Sequence, residues 1–293
     1  MLTEQRNPNS QDIDQRSTLE IVQIINAEDA TVAAAVERAL PQIAEAVDQI
    51  VASLEAGGRL IYVGAGTSGR LAVLDAAECV PTFNTDPETV QALIAGGESA
   101  VAHSIEGAED DRFAGRSDVL ALNLTAGDVV VGIAASGRTP YVIAALEAAN
   151  EIGVPTIGIS CNSPAPLLDA AQIRIAVPVG PEVITGSTRL KAGTAQKMAL
   201  NMLSTAAMIR LGKVYGNLMV DVRVTNEKLE GRACRIVSEA AGISEDEAAQ
   251  LLAQAGNEAK TAIVMALLSM SADEARARLK DSGGRLRQVI ENA

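Results

Sequence analysis

Between residues 57 and 190, short apolar runs of β-formers alternate with stretches in which apolar side chains recur every three or four positions. The runs are LIYV, ALIAG, DVVVGIA, PTIGIS and IRIAVPV, and the stretches between them include GRLAVLDAAEC, ESAVAHSIEGA and TPYVIAALEAANEIG. Strands alternating with helices pair in parallel through crossovers, which predicts an α/β fold with a doubly wound parallel sheet covered on both faces. A long helix from about Leu190 to Leu211 closes that region. Ahead of it, residues 1–16 read as a polar leader, and Ser17 with Glu20 forms a capping box for a first helix ending near Asn26. A longer helical pattern runs from about Thr31 to Ala56, where Gly57 and Gly58 stop it; Pro41 is placed to kink or divide it. Past VYGNLMVDV the pattern is helical to the end, with serine caps followed by acids in ISEDEAAQLLAQAG and SADEARARLKDSGG. The expected division is N-terminal leader and helices at 1–56, an α/β domain at 57–224 and a small C-terminal helical domain at 225–293. For the last, packing or support of a dimer is the plainest role.

Composition narrows the partners. The core must be aliphatic, because aromatics are 2% of the chain, and stacking platforms for single-stranded nucleic acid are missing. A net charge of 24 − 37 = −13 argues further against nucleic acid, so an anionic ligand must be held by local groups. Cys79, Cys161 and Cys234 form no CxxC pair and suit neither a disulfide framework nor a zinc site, as expected of a reducing cytoplasm. The N-terminus has no apolar segment of signal-peptide type, and the longest apolar run, TAIVMALLSM, is too short to span a bilayer, so a soluble, cytoplasmic protein is expected.

The chemistry concentrates in two loops. VGAGTSGR at 63–70 and VGIAASGR at 131–138 share V-G-x-x-x-S-G-R, and each follows a strand and opens into a helix. The first also satisfies G-x-G-x-x-G through Gly64, Gly66 and Gly69. Its would-be ribose acid, Asp86, however, lies before ALIAG instead of at its end, so a dinucleotide site is in the wrong register. Two such turns side by side suit one phosphate monoester, gripped by backbone N–H groups, helix N-termini and the hydroxyls of Thr67, Ser68, Ser136 and Thr139, with Gly69 and Gly137 giving close access. For one loop, a helix cap would be the plainer reading. For the pair, the phosphate reading is the better one.

These loops resemble the sugar isomerase, or SIS, domain, which binds phosphosugars through serine and threonine loops after parallel strands. GPEVITGSTRLKAGTAQK at 180–197 is similar to the signature shared by N-acetylmuramic acid 6-phosphate etherases and glucokinase regulatory proteins. LDAAECVPTF at 74–83 and EGAEDD at 106–111 resemble the etherases' acidic segments. The resemblance spans nearly the whole chain and implies a flavodoxin-like SIS sandwich. It departs at Ala134 and Ala135, where many SIS proteins carry polar side chains; the grip there leans on backbone N–H groups.

The reaction the resemblance implies removes D-lactate from N-acetylmuramic acid 6-phosphate in cell-wall amino sugar recycling. The C3 ether is β to the aldehyde of the opened sugar, so loss of the C2 proton and of lactate, then addition of water, gives N-acetylglucosamine 6-phosphate without metal or redox cofactor. Two carboxyl groups in different protonation states are needed. The family's acidic pair maps onto Glu78, taken as the acid that protonates lactate, and Glu109, taken as handling the C2 proton or the water; the roles are interchangeable at this stage. Ser187, Thr188, Arg189 and Lys191 are placed to receive the phosphate or the lactate carboxylate, with capping of the following helix as the competing reading. His103, the single histidine, shares an expected helical face with Glu106 and Asp110, but one helix supplying every ligand makes a poor metal site. If one helix runs unbroken from Ser68 to Glu78, about 15 Å separates them along its axis. Either that helix breaks early or the site is shared in a homodimer. A phosphosugar-sensing regulatory module and an aldose–ketose isomerase are the rival functions.

Overall fold

A computed structural model of the protein describes residues 1–222, 224 and 227–293. The chain divides into two compact units: Met1–Ala76 with Pro87–Ser204, and Ala77–Asp86 with Thr205–Ala293. No turn or change of composition marks the passage at Thr205, which lies inside a helix.

The first unit begins with three 3-10 turns, then helices α1 (Thr18–Asp29), α2 (Val32–Glu37) and α3 (Leu40–Glu55). The expected capping box holds: the Ser17 hydroxyl accepts the Glu20 N–H while Glu20 accepts the Ser17 N–H. Pro41 sits in the first turn of α3, so the long helical pattern is divided just before it. The polar leader is not loose. Thr3, Asn7 and Ser10 are buried, and their segment is tied to 160–187 by Asn7 donating to the Pro181 carbonyl, Ser10 to the Val183 carbonyl and Asn162 to Thr3.

The sheet comprises β1 (Leu60–Gly64), β2 (Val90–Ile94), β3 (Val129–Ala134), β4 (Thr156–Ser160) and β5 (Ile173–Ala176), all parallel, in the order β2-β1-β3-β4-β5. β1, β3 and β4 are buried along their full length, as central parallel strands with covered faces must be. The crossovers carry α4 (Gly66–Phe83), α5 (Ser99–Ala102), α6 (Arg112–Ala121), α7 (Pro140–Glu151) and α8 (Pro166–Asp169), and α9 (Lys191–Arg210) follows the sheet. ESAVAHSIEGA is mostly not helix: α5 stops at Ala102, and the helix that packs on α7 is α6, whose apolar pattern is interrupted by Arg116, Ser117 and Asp118. One sheet face is filled by α6 and α7 around Tyr141, Val142 and Leu146.

In the second unit, α10 (Glu227–Ala241), α11 (Glu245–Gln254), α12 (Ala259–Leu268), α13 (Ala272–Asp281) and α14 (Leu286–Glu291) enclose their own aliphatic core around Val237, Ile263 and Leu279. Among the described residues no helix is long and apolar enough to cross a membrane.

Candidate functional site

Strand order reverses between β1 and β3: the chain leaves β1 toward β2 on one side and β3 toward β4 and β5 on the other. In open α/β sheets, ligands bind at the carboxyl ends of the strands where the order reverses. Both V-G-x-x-x-S-G-R loops leave from that point, since β1 and β3 are adjacent and parallel with Gly64 opposite Ile133.

The same motif takes two conformations. In the first loop α4 starts at Gly66, whose φ of +52° turns the chain, and Ser68 already lies in the first helical turn, where backbone N–H groups have no acceptor within the helix. A Cβ on Gly69 would meet Ile94 Cγ1 at 2.6 Å, so the helix start lies hard against β2. In the second loop Ser136 and Gly137 stand clear of α7, which begins only at Pro140, and Gly137 has φ +67°. There the Arg138 N–H donates to Ser136 Oγ at 3.1 Å. The capping reading fails at Thr139, whose side chain makes no cap bond, and at Ser68, whose hydroxyl donates instead to Gln196 Oε1 at 2.9 Å.

That bond joins α4 to α9. Thr67 faces the same helix, its Cγ2 within 3.5 Å of where a Gly193 Cβ would stand, and Gly193 donates to the Thr188 carbonyl. Thr67, Ser68 and the half-buried Ser187–Thr188 turn are therefore gathered by α9, while Ser136, Gly137 and Thr139 lie over the next strand. Lys191 is placed differently from the expectation. It is 2% exposed and its ammonium lies 2.5 Å from Glu28 on α1, so its charge is neutralised inside the fold. Capping of α9 falls instead to Glu182: fully buried, it accepts the N–H groups of Lys191 and Ala192, both at 2.9 Å. Burial raises the Glu182 carboxyl above its ordinary value against the pull of these two bonds and of Lys191.

A cleft of about 380 Å³ opens beside the first loop, lined by Gly66 and Arg70 on one side and Ser104, Glu106 and Glu109 on the other. Glu109 is exposed on a 3-10 turn, Ala108–Asp110, entered through Gly107 at φ +73°. Arg70, to which the sequence argument gave no role, holds the cleft wall: it donates to the carbonyls of Val101 and His103, each at 2.9 Å. His103 caps the end of α5 in an extended conformation, so it shares no helical face with Glu106 or Asp110. Among the described residues no group of three or more His, Cys, Asp or Glu is placed to hold a metal ion. Glu78 is exposed, ten residues beyond Ser68 on the unbroken α4, about 15 Å along its axis.

Two buried groups near the loops escaped the sequence reading. Gln196 stands in TAQK, near the end of the signature at 180–197. Asp75 lies one turn before Glu78 and accepts hydroxyls from Tyr62 at 3.0 Å and Ser204 at 3.1 Å; burial pushes its carboxyl above the ordinary value.

The family model described as the glucokinase regulatory protein N-terminal SIS domain matches residues 42–150, that of the SIS domain 114–206, and that of the C-terminal lid domain of glucokinase regulatory protein 216–261. Among solved structures, phosphoheptose isomerases from Francisella tularensis and Neisseria gonorrhoeae share the fold, with TM-scores of 0.52 and 0.51 at 18% and 21% identity; they cover 66% and 65% of this chain and 100% and 98% of their own. The N-acetylmuramic acid 6-phosphate etherase of Pectobacterium atrosepticum is 56% identical over 290 residues, 99% of this chain and 96% of that protein. That of Brucella anthropi is 57% identical over 290 residues, 99% and 94% of the respective chains. The chain belongs to the N-acetylmuramic acid 6-phosphate etherase family.

Proposed function

We propose that this protein cleaves the D-lactyl ether of N-acetylmuramic acid 6-phosphate, giving N-acetylglucosamine 6-phosphate and D-lactate, in the recycling of cell-wall amino sugars. The observation that carries the reading is the pair of serine loops on adjacent parallel strands at the point of strand reversal, with Glu109 on the cleft beside them. The 6-phosphate sits between the loops, held by first-turn N–H groups of α4 and by Thr67, Ser68, Gly69, Ser136, Gly137 and Thr139, while Ser187 and Thr188 border it from the α9 side. Lys191 contributes by fixing α9 through Glu28, without touching the ligand.

With the phosphate anchored, the carbon chain extends over the cleft toward Glu109. There the glutamate takes the C2 proton, the electron pair forms the C2–C3 double bond, and the C3–O bond breaks. Lactate leaves with a proton from Glu78; water then adds across the double bond, its oxygen bonding to C3 and its proton going to the Glu78 carboxylate, while Glu109 returns its proton to C2. Because α4 holds Glu78 about 15 Å from Ser68 along its axis, we assign the Glu78 of each site to a second copy of the chain, in a homodimer with composite sites. Cys79, Cys161 and Cys234 form no disulfide among the described residues, which suits a cytoplasmic enzyme.

Incubation with N-acetylmuramic acid 6-phosphate followed by a D-lactate assay tests the reaction, with Glu78→Ala as the control for contaminating activity. Lactate above background is expected; its absence, or isomerised sugar phosphate without lactate, removes the etherase reading.

A further inference from the structure

One buried group beside the first loop has no role in the chemistry above. Gln196 is 1% exposed; its Oε1 accepts the Ser68 hydroxyl, and its Nε2, sealed from solvent, has no hydrogen-bond partner among the described residues. Buried donors without acceptors are rare and costly, so this one calls for a second state in which the carboxamide is better matched.

The hydroxyl supplies the reason. Ser68 has one hydrogen, and it points at Gln196 Oε1. A phosphate dianion only accepts, so it would meet the serine oxygen lone pair to lone pair. Reversing the carboxamide about its last bond removes the conflict. Nε2 then donates to Ser68 Oγ, and the serine hydrogen turns to the phosphate. The sealed position afterwards holds a carbonyl oxygen, which is less costly to leave unpaired than an N–H. Direct contact between Nε2 and a ligand would instead require the wall of the site to open.

We infer that Gln196 is a positioning residue for the phosphate: with its buried carboxamide reversed, Nε2 donates to Ser68 Oγ and leaves the serine hydrogen for a phosphate monoester in the first loop. This rests on the reading of Ser68 as a phosphate ligand. It also requires an amide at 196, because a carboxylate can only accept and would keep the serine hydrogen locked.

The test is a double-mutant cycle on the full-length enzyme with Gln196→Glu and Ser68→Ala, read as KM, kcat and calorimetric Kd for N-acetylglucosamine 6-phosphate. With Ser68 present, Gln196→Glu should raise KM and Kd about tenfold or more beyond its effect in the Ser68→Ala background, with kcat within about threefold. Equal factors in both backgrounds would mean that only charge or packing is disturbed, and the inference fails; a fall in kcat at constant KM overturns it too. Should Gln196→Glu not fold, Gln196→Met carries the same cycle, with a smaller excess expected, and additivity again overturns the inference. A Ser68→Ala enzyme that binds the product as the wild type does would remove Ser68 from the phosphate site and this inference with it, an outcome distinct from additivity.

Discussion

Glu109 and Lys191 show what a residue type can and cannot say alone. In a chain with 37 acids, one glutamate reads as solvated surface, and only the resemblance singled out Glu109. The structure adds that it borders the cleft opened by the first loop. Glu109→Gln keeps shape and removes the base, so kcat should fall about 10²- to 10⁴-fold while calorimetry finds product binding little changed; lost binding would make its role structural. Lys191 was legible only as a cation before a helix, and a cation near phosphate loops invites the wrong partner, because Glu28 is 163 residues away in sequence. Removing one member of a buried pair leaves the other charge uncompensated, so Lys191→Met should cost about 3 kcal/mol or more in denaturant unfolding. The double variant with Glu28→Gln should recover much of that stability, and the folded fraction of Lys191→Met should keep the wild-type KM. A raised KM in fully folded enzyme would return Lys191 to the ligand.

At the scale of elements, strand positions were readable because parallel strands buried on both faces are continuous apolar runs, and β1, β3 and β4 are such runs. α6 was not, because Arg116, Ser117 and Asp118 interrupt its apolar pattern and it buries only Gly115 and Val119. Nor could a shared motif disclose that its two copies fold differently; that depends on what each loop packs against. The second loop is braced from behind by Asn162, which donates to the Ala135 carbonyl, and a Cβ on Gly137 would stand 2.4 Å from Ala165 Cβ and 2.5 Å from Ser160 Oγ. Gly137→Ala should therefore both destabilise the protein, by about 1–3 kcal/mol, and raise KM for the phosphosugar more than it lowers kcat.

The contact of α4 with α9 and β1 is polar at its heart, and it sets a pH dependence. Burial raises the Asp75 carboxyl above 3.8, its ordinary value, against the hydroxyls of Tyr62 and Ser204 and the charge of Lys197. A raised carboxyl means folding disfavours the ionised form. The cost is absent below the unfolded value and grows as pH rises toward the folded one. Asp75→Asn should thus melt higher than the wild type near neutral pH, with the difference closing as pH falls to about 4; calorimetry across that range checks it, and a variant that melts lower throughout would show that the carboxylate is needed for its bonds.

For the molecule as a whole, the sequence conveyed a three-part division and a net charge of −13, but a contact between copies leaves no periodic trace in a single chain. What it leaves here is a length. α4 continues without a break through Pro81 to Phe83, so the early end that would have let Ser68 and Glu78 serve one sugar within one chain does not occur. A hexose phosphate is far shorter than the roughly 15 Å of helix between them. If each site takes its phosphate loops from one protomer and its Glu78 from the other, then, at substrate well below the raised KM of Ser68→Ala, that enzyme and Glu78→Ala, each weakly active alone, should complement on co-expression. A statistical mixture would leave half the molecules as mixed dimers with one intact site of two, so activity should recover to roughly a quarter of wild type, with a wild-type KM at the restored sites. Differently tagged chains purified through both tags isolate the mixed dimer, where about half the wild-type activity is expected. Mixed dimers that form and stay inactive would place both groups of a site in one chain, and Glu78 would then lose its assignment as the acid.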